Sequence, residues 1–190
     1  MASTSIFWFR RDLRINDNPA LLAAIAECDE IVPVFILDSQ QLERLGEKGK
    51  SYLAQSLKLL DDSLDKKLHV LVGDSLEVLK VLLKKYGATS VHIAAAYEPQ
   101  DAKRDEKIEA AGVKLVRTGS AYAVAPGRVR KPSDDTPYRV YTPFYKAWSL
   151  HGWRKPADKP KSINAIKPGS DARAFPDWKV PPEVKMTPAG

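Results

Sequence analysis

Arg10, Arg11, Asp12 and Arg14 follow directly on an apolar run, Ile6-Phe-Trp-Phe9, and lead into a helix start at Asp17-Asn18-Pro19. Guanidinium groups in that density do one of two things. They bind an anionic or polar aromatic ligand through paired, directional donors, or they lock onto neighbouring carboxylates such as Asp12 and Asp17 as a structural knot. Asp12 and Arg14 suit the knot, whereas Arg10 and Arg11 are open to either role. Residues 6–22 contain no glycine, so the tight turn that lets a backbone wrap a dinucleotide pyrophosphate is missing. Two further polar groups end apolar runs: Leu37-Asp38, and Tyr97-Glu98-Pro99-Gln100-Asp101.

The elements that must position these residues are legible from periodicity. Five short apolar, β-branched runs (4–10, 31–37, 68–73, 90–96 and 113–118) alternate with helical patterns, the signature of βαβ units. Pro19 suits the first turn of a helix. Leu53, Leu57, Leu60 and Leu64 form a stripe over 49–66, and Asp74-Ser-Leu-Glu77 resembles a capping box. A fourth helix follows Pro99 and runs to Gly112. Right-handed crossovers order the strands most simply as 3-2-1-4-5, an α/β, Rossmann-like parallel sheet with helices on both faces. Its switch point falls between the first and fourth strands. Arg10, Arg11, Leu37, Asp38, Glu98, Gln100 and Asp101 then ring one crevice, with Phe9 and Ile36 as an apolar floor, the mixture expected of a ligand pocket.

Other candidate chemistry is weaker. Gly46-Glu-Lys-Gly49-Lys50-Ser51 resembles the tail of a phosphate loop, but Arg44 stands where its first glycine belongs, so it reads as a helix start. One cysteine, Cys28, and the scattered His69, His92 and His151 provide no zinc ligand set and no disulfide framework, which fits a reducing cytoplasm. No apolar run approaches the length of a membrane span. Charge is uneven: residues 1–119 carry 17 Lys and Arg against 18 Asp and Glu, and residues 120–190 carry 13 against 6. Such a basic segment could contact nucleic acid, form a solvated linker or dock on an acidic partner domain. Seven of the fourteen prolines lie in 155–190. With no apolar periodicity there, 156–190 reads as an extended linker that buries too little to order itself.

Trp8-Phe-Arg-Arg-Asp-Leu-Arg-Ile-Asn-Asp-Asn18 resembles the Trp-Phe-Arg-x-Asp-Leu-Arg-x-x-Asp-Asn motif that opens the DNA photolyase and cryptochrome family. Tyr141-Thr-Pro-Phe-Tyr-Lys-Ala-Trp148 is similar to that family's Thr-Pro-Phe helix start. The resemblance implies an N-terminal α/β domain over 1–130, a loop and short helix over 131–155, and a connection over 156–190 to a helical FAD-binding domain absent from these residues. It further implies an antenna chromophore (flavin, deazaflavin or reduced folate) that collects light for that FAD, in an enzyme acting on damaged DNA. Gln100-Asp101 stands where folate-binding members tend to carry Asn-Glu, and Glu98-Pro99 with Leu37-Asp38 looks more like flavin or deazaflavin forms. No catalytic residue and no metal site is expected within this chain. A cryptochrome photoreceptor, and a free-standing nucleotide-binding module of similar fold, remain open at this point. The four tryptophans read as packing residues, because the family's tryptophan chain belongs to the helical domain.

Overall fold

The computed structural model describes residues 2–179. Five parallel strands, β1 (Thr4–Phe9), β2 (Glu30–Leu37), β3 (His69–Val72), β4 (Val91–Ala95) and β5 (Leu115–Ser120), stand in the order β3-β2-β1-β4-β5. This is the sheet the alternation of periods predicts. Between the strands run α1 (Pro19–Glu27), the single turn α2 (Ser39–Leu42), α3 (Glu47–Ser63), α4 (Ser75–Tyr86) and α5 (Pro99–Ala110). Among the described residues, α6 (Tyr141–His151) and a three-residue 3-10 turn at Ser170–Ala172 follow β5.

Strand parity explains the double-sided core. Successive side chains of β1 point to opposite faces. Phe7 and Phe9 join Leu21, Leu57 and Leu68 in one buried cluster, while Ile6 and Trp8 join Leu79, Ile93 and Ile108 in the other. Every residue of β1 is buried, as a central parallel strand covered on both faces requires.

The helix ends are chemically marked. Asn18 caps α1 by accepting from the Leu21 N–H, and its amide donates to Asp12 Oδ2 at 3.1 Å, so the β1–α1 turn is tied to the strand end. Asp74 caps α4 by accepting from the N–H groups of Leu76 and Glu77. Gly87 ends α4 with φ 60°, a left-handed conformation that favours glycine. Gly46 precedes α3 as its cap, so the phosphate-loop fragment is a helix start.

The extended connection corrects the reading of an unpacked tail. Residues 160–179 run along the sheet and fasten to it, with parallel bridges Ile31–Ala165 and Val70–Arg173. Ala165 and Ala172 are buried, and Ile163, Ile166, Phe175 and Trp178 pack against the two clusters. Arg173 donates both terminal nitrogens to Asp61 at 2.7 Å and also reaches the carbonyls of Lys66 and Leu68. Isolated apolar residues between prolines suffice to anchor such a strap, because each fills a gap in an existing core rather than building one. The Pro181-Pro182 pair lies outside the described residues.

Candidate functional site

A crevice of about 820 Å³ opens over the carboxyl ends of the strands, across the switch point between β1 and β4. That is where open α/β sheets bind ligands, and the volume lies within the usual range for small-molecule sites. Its walls come from Arg10–Asp12 after β1, Asp38 after β2, Asp74–Leu76 after β3, Ala94–Ala96 and Glu98 at the end of β4 and just beyond it, and Tyr122 after β5.

The two adjacent arginines part company. Arg10 continues the parity of Ile6 and Trp8 and turns toward α5. Its Nη1 donates to both oxygens of Asp105 (2.9 and 3.0 Å), its Nη2 donates to the Ala94 carbonyl, and its guanidinium stands over the Trp8 ring. The Arg10 side chain is 8 % exposed, whereas that of Arg11 is 59 % exposed. Arg11 stands at the mouth, donating from Nε to Asp101 at 3.2 Å with its Nη1 3.5 Å from Glu98. Arg10 is thus buried with both terminal nitrogens on protein groups, whereas Arg11 is largely open to solvent.

The other candidates divide in the same way. Glu98, at the start of α5, accepts from the Tyr122 hydroxyl at 3.1 Å. Its own backbone N–H, then Arg11 and that hydroxyl, hold its carboxyl below the usual range, against the opposing pull of burial. The same bond raises the Tyr122 phenol. Gln100 lines the same crevice. Asp101, in the first turn of α5, is buried and shared between Arg11 and Arg104. Asp38 accepts from Ser75 Oγ at 3.4 Å. Leu37 is a core residue whose side chain does not line the crevice, and Phe9 and Ile36 lie equally deep. The floor is made instead by Phe35, Leu76, Ala94 and Ile108.

Arg104, Asp105, Arg117 and Tyr122 escaped the sequence reading. Arg104 also stands over Trp8, so one indole carries two guanidinium groups, at 4.8 Å for Arg104 and 5.3 Å for Arg10. Burial first, and then the charge of Arg10, lower its pKa. Asp105 lies near three cations, Arg10, Arg104 and Arg117. The available signal was the spacing Asp101, Asp105, Ile108, one helical stripe in which two carboxylates share the buried face with an isoleucine. The charged appearance of α5 hid that stripe.

Residues 5–161 match the family model described as DNA photolyase. The chain belongs to the DNA photolyase family. The deoxyribodipyrimidine photo-lyase of Agrobacterium fabrum is 34 % identical over 187 residues, covering 93 % of this chain and 38 % of that relative. Cryptochrome-2 of Gallus gallus is 33 % identical over 149 residues, covering 74 % of this chain and 26 % of its own length. Among solved structures, an archaeal photolyase from Sulfolobus tokodaii, described with two FAD molecules and a novel light-harvesting cofactor, superposes with a TM-score of 0.72. It is 32 % identical and covers 86 % of this chain and 38 % of its own. The chain therefore spans well under half the length of these relatives. No helix among the described residues is long and apolar enough to cross a membrane.

Proposed function

We propose that this chain is the antenna-binding domain of a photolyase, holding a planar chromophore in the crevice over the switch point. The observation that carries the reading is the crevice itself: about 820 Å³, with an apolar floor of Phe35, Leu76 and Ile108 and a rim of Arg11, Glu98 and Gln100. An apolar floor buries a ring system, and a few polar groups fix its orientation. Flavin, deazaflavin and reduced folate all have that form. The two FAD molecules and the light-harvesting cofactor named for the Sulfolobus relative support flavin.

In this reading Arg11, Asp38, Glu98, Gln100 and Asp101 contact or orient the ring, and Arg10 supports the wall. The chromophore supplies light absorption. The chain excludes water from one ring face and holds it in a fixed orientation, which directional transfer of excitation requires. The acceptor is an FAD in a C-terminal helical domain, and damaged DNA is the substrate of the whole protein in the cytoplasm. The 190 residues carry no repair chemistry of their own.

Titrating the purified chain with flavin, deazaflavin and reduced folate tests this. One of the three is expected to co-elute stoichiometrically with a near-ultraviolet or blue absorption band. Binding of none, with the sheet folded by circular dichroism, refutes it, and retention of a plain nucleotide alone favours a free-standing nucleotide module. The Gallus relative supports a second reading, the same domain in a cryptochrome. A thymine-dimer repair assay on a full-length protein carrying this domain separates the two.

A further inference from the structure

A second cavity, of about 340 Å³, adjoins the crevice and shares with it the wall formed by Ala121 and Tyr122. Arg14, Asp17, Trp153 and Arg154 supply its polar and aromatic lining. Its two arginines come from opposite ends of the domain, and Asp17 holds both without using them up. Arg154 Nη1 meets Asp17 Oδ1 at 2.6 Å and donates to the Lys155 carbonyl at 2.9 Å. Arg14 donates from Nε to the Asn16 carbonyl at 3.1 Å and from Nη2 to the Asp17 carbonyl at 3.0 Å. Its Nη2 also lies 3.5 Å from Asp17 Oδ2. Asp17 is fixed in turn by the Ala157 N–H, which donates to Oδ1 at 2.8 Å.

Nη1 of Arg14 and Nη2 of Arg154 bond to none of the described residues, and both side chains are 41 % exposed. One carboxylate therefore stands against two cations, an excess of one positive charge at the recess. Residues 155–161 add three Lys against one Asp. A cleft lined by one sign of charge concentrates counter-ions. We propose that this recess is a phosphate subsite, taking free phosphate or the phosphoryl group on the side chain of a chromophore whose ring lies in the crevice.

The chemistry of the lining selects this ligand. Planar guanidinium forks match phosphate oxygens through paired donors. One fork satisfies a carboxylate, whereas a phosphoryl group has oxygens for both arginines. The shared wall gives the connection to the crevice. A ligand chain reaches the recess by passing Tyr122, whose hydroxyl donates to Glu98 on the crevice side at 3.1 Å. Nucleic acid spreads its charges along a strand and binds through a row of phosphate contacts. Two guanidinium groups held on one carboxylate serve a single phosphoryl group instead.

Only the chromophore source rests on the antenna reading, and the test separates the two. Inorganic phosphate is titrated into the whole chain at constant ionic strength and followed by phosphorus NMR line width. Riboflavin and flavin mononucleotide are titrated in parallel by flavin fluorescence. Phosphate is expected to bind with a Kd on the order of a millimolar, and Arg14→Gln or Arg154→Gln should each weaken it about tenfold. Arg154→Lys keeps a cation beside Asp17 but loses the fork, so it should melt normally and bind phosphate with intermediate affinity. Lys58→Gln, which removes an exposed charge on α3, should change nothing. Flavin mononucleotide binding about tenfold more tightly than riboflavin, an advantage lost in the arginine variants, assigns the chromophore's side chain as the source. Equal affinity for the two flavins, with phosphate binding still sensitive to the arginines, assigns free phosphate. Failure of the antenna reading alone leaves both flavins unbound and phosphate bound. The proposal is overturned if the unaltered chain binds no phosphate and does not distinguish the two flavins. It is equally overturned if folded arginine variants, Arg154→Lys included, bind phosphate and flavin mononucleotide as tightly as the unaltered chain. Oligothymidylate binding tighter than phosphate binding, and abolished by the same variants, overturns it in favour of nucleic acid.

Discussion

Replacing Arg10 and Arg11 separately should give opposite phenotypes, although they are neighbours of the same type. Arg10 is buried with Asp105, whose side chain is 5 % exposed. Arg10→Gln strands that carboxylate, and breaking a buried pair costs about 3–5 kcal/mol. Asp105 keeps Arg104 and Arg117 at 3.6 and 3.8 Å, so the lower end applies, about 3 kcal/mol, or roughly 6–12 °C in Tm for a chain of this size. Arg11 pairs at the surface, where ion pairs contribute about 0–1 kcal/mol, so Arg11→Ala should shift Tm by less than about 4 °C. If its free donors bind the chromophore, losing a charge-assisted hydrogen bond costs about 1.5–3 kcal/mol, on the order of ten- to a hundredfold in Kd. The assay is a thermal melt and a chromophore titration on both variants, with Kd expressed per folded molecule. Arg10→Gln should melt low and bind normally, whereas Arg11→Ala should melt normally and bind weakly. Arg11→Ala with unaltered affinity for flavin, deazaflavin and folate, or Arg10→Gln with an unaltered Tm, would refute the division of roles.

Three further outcomes follow from the packing. Arg173→Leu removes the partner of Asp61, which is buried and also accepts from the Leu68 N–H; about 2–3 kcal/mol should be lost, with faster amide exchange at Ala165 and Ala174. Gly119→Ala places a Cβ 3.1 Å from that of Pro19 at φ 63°, so strain of at least about 1 kcal/mol should lower the denaturant midpoint without changing m. His69 and His92 are buried, and burial is the leading cause of their lowered pKa values. Their folded pKa lies below the unfolded one, so the stability they contribute is complete above about pH 6.5 and declines as pH falls below it. Melting curves from pH 7.5 to 5 should show that decline, and a flat profile would contradict it.

The strand order and the double-sided core were readable because they rest on short-range patterns. Alternation of Ile6, Phe7, Trp8 and Phe9 fixes two faces, and the caps at Asn18, Asp74 and Gly87 fix where helices begin and end. The strap was not readable. Its anchors are single residues, Ala165, Ala172 and Arg173, whose partners lie about a hundred residues away in a finished core. No local period records a contact of that kind.

The site was readable to the level of the crevice and no further, and the arginines show why. Both arginines stood open between ligand and structure in the sequence; Arg10, the first residue beyond β1, keeps the parity of Trp8 and stands over its ring. What it meets depends on the rotational phase of α5, which places Asp105 rather than solvent opposite it. β1 ends at Phe9 and only the residue directly after it keeps the strand's parity, so Arg11 lies one position further along, in the turn tied by Asp12 and Asn18, and is exposed. Leu37 obeys the opposite logic: it is the last residue of a strand rather than the first beyond one, so it is core. In an open parallel sheet, the last residue inside a strand builds the floor or the core. The next residues along the chain become wall or ligand contact according to whether the following helix has a partner for them.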